Sequence, residues 1–221
     1  MFSSIMLQIV AMACMLIDHV GLYLCDNFWP MRLIGRIAMP LFVFGLVEGF
    51  LHTSSRIKYF VRIAVTAMIT QFVLLLLEAQ SGIVGSSNIL FNFMITFMAL
   101  LCLEKGGFAV VIVPILAIMS EVLNFDYGWA IVVMASGFYY VLKHTKFGKP
   151  EYYFGLLLTL VVVNLFLVVH HGWTLQCYSI LAFVPLMLYN GKKGKRLPKY
   201  AGYIFYPAHL LAIWLVTLFL H

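Results

Sequence analysis

Ionisable and amide side chains interrupt the long apolar runs of this sequence at only a few positions. A charged side chain in hydrocarbon costs about 2.5–3.5 kcal/mol on insertion scales, so each such residue is a candidate for function. Imidazole exchanges protons near neutral pH, and guanidinium stabilises developing negative charge. The alternative is structural: ion pairs and hydrogen bonds that hold helices together. The positions are Asp18, His19, Arg36, Glu48, His52, Arg62, Glu78 and His209 within or at the end of spans, Asn88, Glu104, Glu121 and Asp126 near boundaries, and the neutral Asn92 and Asn164.

The spacing of these residues limits which of them can meet. Asp18 and His19 are adjacent, about 100° apart on a helix, so they cannot face each other. Arg32 and Arg36 share a helix face at a spacing of four and are the natural partners of Asp18. Each member of the Asp18–His19 pair is therefore expected to contact a different helix.

The second polar group shows helical spacing as well. Glu48 and His52 lie four residues apart, on one helix face. Pro40 stands between Gly35 and Gly45 and is expected to kink the helix that carries them. A kink beside charged residues is typical of a cavity, although a kink made only for packing is an equal alternative.

The composition predicts that membrane helices hold these groups in position. Hydrophobic residues make up 64% of the chain, charged residues 10%, and the mean hydropathy is +1.02. Because lipid offers no hydrogen bonds to the backbone, apolar runs of about 17–20 residues favour helices. We expect an all-α, polytopic helical bundle in one transmembrane domain, residues 1–221. The nine predicted spans are 5–25, 33–52, 57–78, 88–104, 107–123, 127–143, 152–170, 174–190 and 202–220.

The basic residues predict the orientation of the bundle. Nine spans divide the connections between two faces, and one face receives 11 of the 14 basic residues. The positive-inside rule makes that face cytoplasmic, so the N-terminus is expected inside and the C-terminus outside. The formal net charge of +6 is then a topology signal and indicates no nucleic acid; the 192–199 cluster is also suited to anionic lipid. The eleven are Arg56, Lys58, Lys105, Lys143, Lys146, Lys149, Lys192, Lys193, Lys195, Arg196 and Lys199.

This orientation sorts the polar residues by depth. Asp18, His19, Arg36 and Asn88 are expected toward the outer face, and Glu48 and His52 toward the cytoplasmic face. His209 falls toward the middle of the last span. The three levels together predict a polar path through the bundle.

Other chemistry has little support in the sequence. The histidines form no HxxxH or HExxH motif, so no metal is expected. No serine has a GxSxG context, and no glycine-rich loop is placed to hold phosphates. Cys14, Cys25, Cys102 and Cys177 lie in or beside apolar runs without CxxC spacing, which favours a packing role.

Several motifs, in a fixed order, resemble the TraX family of membrane proteins over nearly the whole chain. They are IDHVGL at 17–22, RLIGRIAMPLFVFGLVEGFLHT at 32–53, NILF at 88–91, FDYG at 125–128 and YIFYPAHLL at 203–211. The resemblance implies an acetyl-CoA-dependent N- or O-acyltransferase in the bacterial inner membrane. The implied acceptor is an amine or hydroxyl of a pilin-like peptide or a glycan on the outer side.

The resemblance also implies roles for the polar residues. The phosphates of cytoplasmic acetyl-CoA would meet Arg56, Lys58, Arg62 or Lys105, beside Glu48 and His52. His19 is the expected general base, oriented by Asp18 or another carboxylate. Arg36 or Asn88 would stabilise the oxyanion, and His209 is the second candidate for the base or an acyl relay.

A small proton-coupled transporter is the alternative from another class. Buried acidic, basic and imidazole groups also form proton relays. An internal repeat and paired broken helices, which are typical of transporters, are not evident in the sequence. The binding of acyl-CoA to the purified protein would distinguish the two hypotheses.

Overall fold

The computed structural model describes residues 1–83, 88–172, 174–194 and 200–220. Within these residues the chain is helical and contains no strand, which confirms the predicted all-α class. Lys195, Arg196 and Lys199, part of the predicted basic face, lie outside the described residues. The α-helices are α1 Ser4–Tyr23, α2 Trp29–Gly35, α3 Ala38–His52, α4 Arg56–Ser81, α5 Ile89–Lys105, α6 Ile112–Val122, α7 Trp129–His144, α8 Pro150–His171, α9 Phe183–Met187 and α10 Ala201–Leu220.

Each predicted span corresponds to a helical segment whose ends differ from the prediction by a few residues. Among the residues that the structure describes, five segments are long and apolar enough to cross a membrane by length and composition. The remaining segments are shorter, so the count of nine crossings stays a prediction. The five are Ser4–Tyr23, Trp29–His52, Arg56–Ser81, Pro150–His170 and Ala201–Phe219.

Three of the predicted spans are divided, and proline explains all three divisions. The second span breaks at Arg36 and Ile37, two residues before α3 reaches Pro40. The fifth and eighth spans begin as 3₁₀ helices, Gly107–Val111 and Leu175–Ala182, and turn into α6 and α9 two residues before Pro114 and Pro185. Proline has no N–H for the carbonyl four residues back, and its ring clashes with that carbonyl, so the helix restarts there. The sequence analysis predicted only the kink at Pro40.

The bundle is apolar both inside and on its lateral surface. Large aromatic side chains fill the centre, among them the fully buried Phe44, Phe50, Phe97 and Phe138. The lateral face of α4 exposes apolar residues every three or four positions, including Ile57, Val61, Val65, Met68 and Phe72. Exposed apolar stripes of this kind are suited to lipid rather than to water.

Contacts between α1, α4 and α10 show that these three helices run in the same direction. Arg62 of α4 lies over Tyr203 near the start of α10, and Leu77 packs with Ile213 further along both helices. On α1, Gln8 near its start lies against Gly202 near the start of α10, and His19 further along contacts His209. The first and last helices therefore run in parallel, as an odd number of crossings requires. Which face is cytoplasmic remains a prediction from the basic residues.

Candidate functional site

A polar cavity of about 190 Å³ lies at the end of the bundle where α1 and α4 finish, which we call the outer end. Its wall is formed by helices α1, α2, α4 and α10. Asn88, which directly precedes α5, and the turn before α7 complete it. All four residues predicted toward the outer face line this cavity. Its lining residues are Asp18, His19, Leu22, Tyr23, Arg32, Arg36, Leu74, Glu78, Asn88, Asp126, Tyr127, Tyr206 and Leu210.

Asp18 forms a buried ion-paired cluster with two arginines. Its Oδ2 lies 2.7 Å from Nη1 of Arg32, and its Oδ1 lies 2.5 Å from Nη2 of Arg36. Gly35 allows this approach, because a Cβ there would collide with the Asp18 carboxylate. The side chains of Asp18 and both arginines are at most 17% exposed. The pairing follows the predicted spacing of Arg32 and Arg36.

His19 contacts the last helix of the bundle instead. Its Nδ1 lies 2.8 Å from Nε2 of His209, and Nδ1 of His209 lies 2.9 Å from the carbonyl oxygen of Phe205. The two rings are within 9° of parallel with centroids 5.1 Å apart, a separation that fits an in-plane hydrogen bond between ring edges. The structure thus joins the two candidate bases. Asp18 pairs with the two arginines instead, and the expectation that it orients the base through Arg36 or another neighbour stays a prediction.

Arg36 connects the ion-paired cluster to the FDYG turn. Its Nη1 donates to the hydroxyl of Tyr127 at 3.4 Å and to Oε1 of Gln176 at 3.2 Å, while its Nε donates to the carbonyl of Arg32. The turn holds Tyr127 at a positive φ of 62°, an uncommon conformation for a bulky residue. Nδ2 of Asn92 donates to the carbonyls of Asp126 and Gly128 at 2.8 and 2.7 Å and holds the turn in place.

Asn88 lines the cavity, but its hydrogen bonds serve the helices. Its side-chain amide donates to the carbonyl of Ala67 and to Oε1 of Gln71, and its Oδ1 accepts from the backbone N–H of Leu90 as the cap of α5. Both amide hydrogens are therefore engaged. The structure does not favour the predicted oxyanion role for Asn88.

Glu48 and His52 lie at the opposite, inner end and serve separate contacts. The Glu48 carboxylate accepts a 2.8 Å hydrogen bond from Ser4 and a second one from the hydroxyl of Tyr189. Nδ1 of the exposed His52 donates to the carbonyl of Glu48 at 2.8 Å. The Ser4 and Tyr189 contacts tie the start of α1 and the residues just after α9 to α3. The Glu48 carboxylate has a structural role here, and its place in a cofactor site stays a prediction.

The predicted phosphate-binding residues begin α4 at the same inner end. Arg56 pairs with Glu104 at 2.8 Å and stacks 3.9 Å above the Phe50 ring, while Lys58 is exposed. The guanidinium of Arg62 lies 5.6 Å from the ring centroids of both Tyr59 and Tyr203. Ser55 caps the first turn, so the positive end of the α4 dipole adds to this cationic surface.

Sequence reasoning named no role in the site for several residues that build it. Tyr127 and Gln176 hold Arg36, Tyr206 contacts the His209 ring, and Nε of Arg32 and Nε2 of Gln176 are buried without a recorded partner. Two of these residues, Tyr127 and Tyr206, lie within the FDYG and YIFYPAHLL motifs, so the motifs were a signal for them. Gln176 carried no signal, because it lies in a segment read only as an apolar span.

The fold and the cavity define a multipass helical membrane protein with a cluster of polar and charged side chains toward one end of its bundle. A model of the family described as TraX protein matches residues 3–217, and the chain belongs to the TraX family. The resemblance inferred from the motifs is therefore confirmed.

Two similar proteins extend this comparison. A probable fimbrial assembly protein FimC, serogroup H1, of Dichelobacter nodosus is 27% identical over 237 aligned positions, which cover 99% of this chain and 97% of that protein. An uncharacterized protein of Rickettsia prowazekii is 54% identical over 39 residues, 18% of this chain and 16% of that protein. No solved structure matches the chain.

Proposed function

We propose that this protein is an acyltransferase of the bacterial cytoplasmic membrane. It transfers an acetyl group from cytoplasmic acetyl-CoA to an amine or hydroxyl on the outer side, carried by a pilin-like peptide or a glycan. The observation that carries the proposal is the hydrogen bond between His209 and His19, where His19 lines a polar cavity together with two arginines. The fimbrial name of the similar protein of Dichelobacter nodosus supports a peptide acceptor.

The hydrogen bonds of the histidine pair support His19 as the base. A carbonyl only accepts, so Nδ1 of His209 must carry a hydrogen for Phe205. In a neutral His209 the other nitrogen, Nε2, then accepts, and Nδ1 of His19 must donate to it. His19 is left with a lone pair on Nε2, and its ring lines the cavity. In the proposal, Nε2 of His19 is the general base and His209 fixes its tautomer.

The remaining groups fit the charge changes of acyl transfer. The acceptor attacks the thioester carbonyl carbon, a C–N or C–O bond forms, and His19 takes the acceptor's proton. In the proposal, Arg32 and Arg36 stabilise the oxyanion; both line the cavity, and Nε of Arg32 is a buried donor without a hydrogen-bond partner. The C–S bond then breaks, and the CoA thiolate leaves with the proton from His19. An acetyl-imidazole on His19 is the stepwise alternative.

The inner end supplies the surface for the donor. Arg56, Lys58 and Arg62 place three cations on the first two turns of α4, where the helix dipole also favours anions. Replacing Arg56 and Lys58 together by glutamine should weaken acetyl-CoA binding by about 1.5–3 kcal/mol per lost charge-assisted bond. The matched control replaces Lys146 and Lys149, which are exposed on another inner loop. Equal binding by both double variants would contradict this placement.

The test of the function is acetylation in the cell envelope. Mass spectrometry of envelope proteins and glycans from a deletion strain should lack acetylated species that the wild-type gene restores. His144→Ala, an exposed histidine outside the cavity, should restore them fully. His19→Ala should lower the rate by about 10²–10⁴-fold while the protein still inserts and binds acetyl-CoA. Unchanged acetylation in the deletion strain, or full activity of His19→Ala and His209→Ala, would favour the transporter hypothesis.

A further inference from the structure

A row of polar side chains follows one face of α4 from the inner end to the cavity. Arg62, Thr66 and Thr70 are spaced by four residues, and Leu74, the next position, lines the cavity. Thr66 is 6% exposed and Thr70 is fully buried. This face points to α10, because Arg62 contacts Tyr203 below the threonines and Leu74 packs with α10 residues above them.

Helix α10 also carries a row of polar side chains on the face that packs against α4. Tyr203, Tyr206 and His209 recur every three residues, and the Tyr206 ring stands perpendicular to the His209 ring at 5.7 Å. Pro207, inside this helix, has no N–H to donate to the carbonyl of Tyr203. The two rows form a polar seam between α4 and α10 that begins at Arg62 and ends at the His19–His209 pair.

The seam contains hydrogen-bonding capacity that the protein does not use. The Thr66 hydroxyl donates to the carbonyl of Arg62 at 2.8 Å, but the Thr70 hydroxyl is buried without a recorded partner. A buried hydroxyl without a partner is costly, and a ligand or water that satisfies it removes that cost. By contrast, the buried face of α1 over the same depth is apolar, with Leu7, Ala11, Cys14 and Met15.

We propose that the α4–α10 seam binds the pantetheine arm of the acyl-CoA donor. Twelve residues separate Arg62 from Leu74, a rise of about 18 Å. An extended arm of about thirteen bonds from phosphate to sulfur spans roughly 15 Å by the dimensions of an extended chain. With its phosphate at Arg62, the thioester reaches the histidine pair, and the two amides lie level with Thr66, Thr70 and the carbonyl of Tyr203. This inference rests on the proposed function and adds the route of its donor.

The burial of Thr70 determines how the pantetheine arm enters the seam. Because Thr70 is fully enclosed, the arm enters when α10 moves away from α4. Pro207 interrupts the hydrogen bonds of α10 at the level of the seam, which is where a helix bends most readily.

Thr70→Val tests the seam, since valine keeps the shape and removes the hydroxyl. The full-length protein in nanodiscs should bind acetyl-CoA about five- to tenfold more weakly, the effect of one hydrogen bond. Adenosine 3′,5′-bisphosphate, which lacks the arm, should bind Thr70→Val and wild type equally. Thr96→Val is the matched control on α5, where Thr96 is also fully buried with an unpartnered hydroxyl. Thr70→Ser, which restores a hydroxyl, should recover the affinity for acetyl-CoA.

The outcomes separate the two proposals. If wild type binds acetyl-CoA and Thr70→Val binds it equally well, or if Thr96→Val loses as much, the seam is overturned and the acyltransferase proposal stands. A wild-type protein that does not bind acetyl-CoA overturns both. Neither valine variant should melt below wild type, because each loses an unpartnered buried hydroxyl.

Discussion

His209 offers the sharpest perturbation of the histidine pair. Glutamine at this position keeps an oxygen that can accept from Nδ1 of His19, whereas leucine fills similar space and accepts nothing. The hydrogen bond that fixes the His19 tautomer therefore survives in His209→Gln and is lost in His209→Leu. His19 itself is unchanged in both variants, so any difference in rate reports the orientation of the base.

The expected size follows from the contact that is lost. A buried donor left without a partner costs about 1–3 kcal/mol, and about 1.4 kcal/mol corresponds to a tenfold change in rate. His209→Leu should lower kcat for acetyl transfer about five- to hundredfold, because His19 can then adopt the tautomer whose Nε2 carries a hydrogen. His209→Gln should stay within a few-fold of wild type. The KM for acetyl-CoA should change in neither variant.

The assay is single-turnover transfer at saturating acetyl-CoA, with a melting curve for each variant as the control for folding. Equal losses in His209→Gln and His209→Leu would refute the orienting role and assign proton transfer to His209 itself. A fully active His209→Leu would show that the contact with His209 does not matter for the base. Either result would require a different origin for the His19 tautomer.

Three further predictions concern stability and topology. Asp18→Asn should destabilise the fold by about 3–5 kcal/mol, because it removes the counter-charge of two buried arginines, whereas Asp26→Asn in the exposed outer turn should melt like wild type. Gly35→Ala should destabilise by about 1–3 kcal/mol, since its Cβ collides with Asp18; Gly45→Ala meets open space and should be neutral or about 0.5–1 kcal/mol more stable. Thermal unfolding in detergent would check both pairs, and equal melting within a pair would contradict the packing described. A reporter fused to the C-terminus should lie outside the cytoplasm, and a cytoplasmic signal would mean that a crossing was miscounted.

The sequence allowed the helical segments and one of the two polar contacts to be predicted. Membrane thickness sets the length of an apolar run, so the segment bounds followed from hydropathy alone. The pairing of Asp18 followed from the spacing of Arg32 and Arg36 on one face. The divided fifth and eighth segments were missed although Pro114 and Pro185 mark them, because their apolar composition concealed the restart.

The contact between His19 and His209 was beyond sequence reasoning. Hydropathy and spacing describe one helix at a time and carry no information on which helices become neighbours. Asn88 lies directly before a helix, a position typical of an N-cap residue. An oxyanion role was predicted for it instead. His52 shares a face with Glu48, yet it bonds the backbone carbonyl there, a partner that side-chain spacing does not reveal.

Because the chain is made from its N-terminus, the ion pairs of Asp18 and the His19–His209 pair form at different times. Arg32 follows Asp18 by only 14 residues, so the charge on the first helix is neutralised by the next segment as the pair enters the bilayer. The partner of His19 lies 190 residues later in the sequence, on α10. A nascent chain that stops before α10 can therefore form the ion pairs of Asp18 but not the histidine pair. The histidine pair forms only in a molecule whose α10 has been inserted.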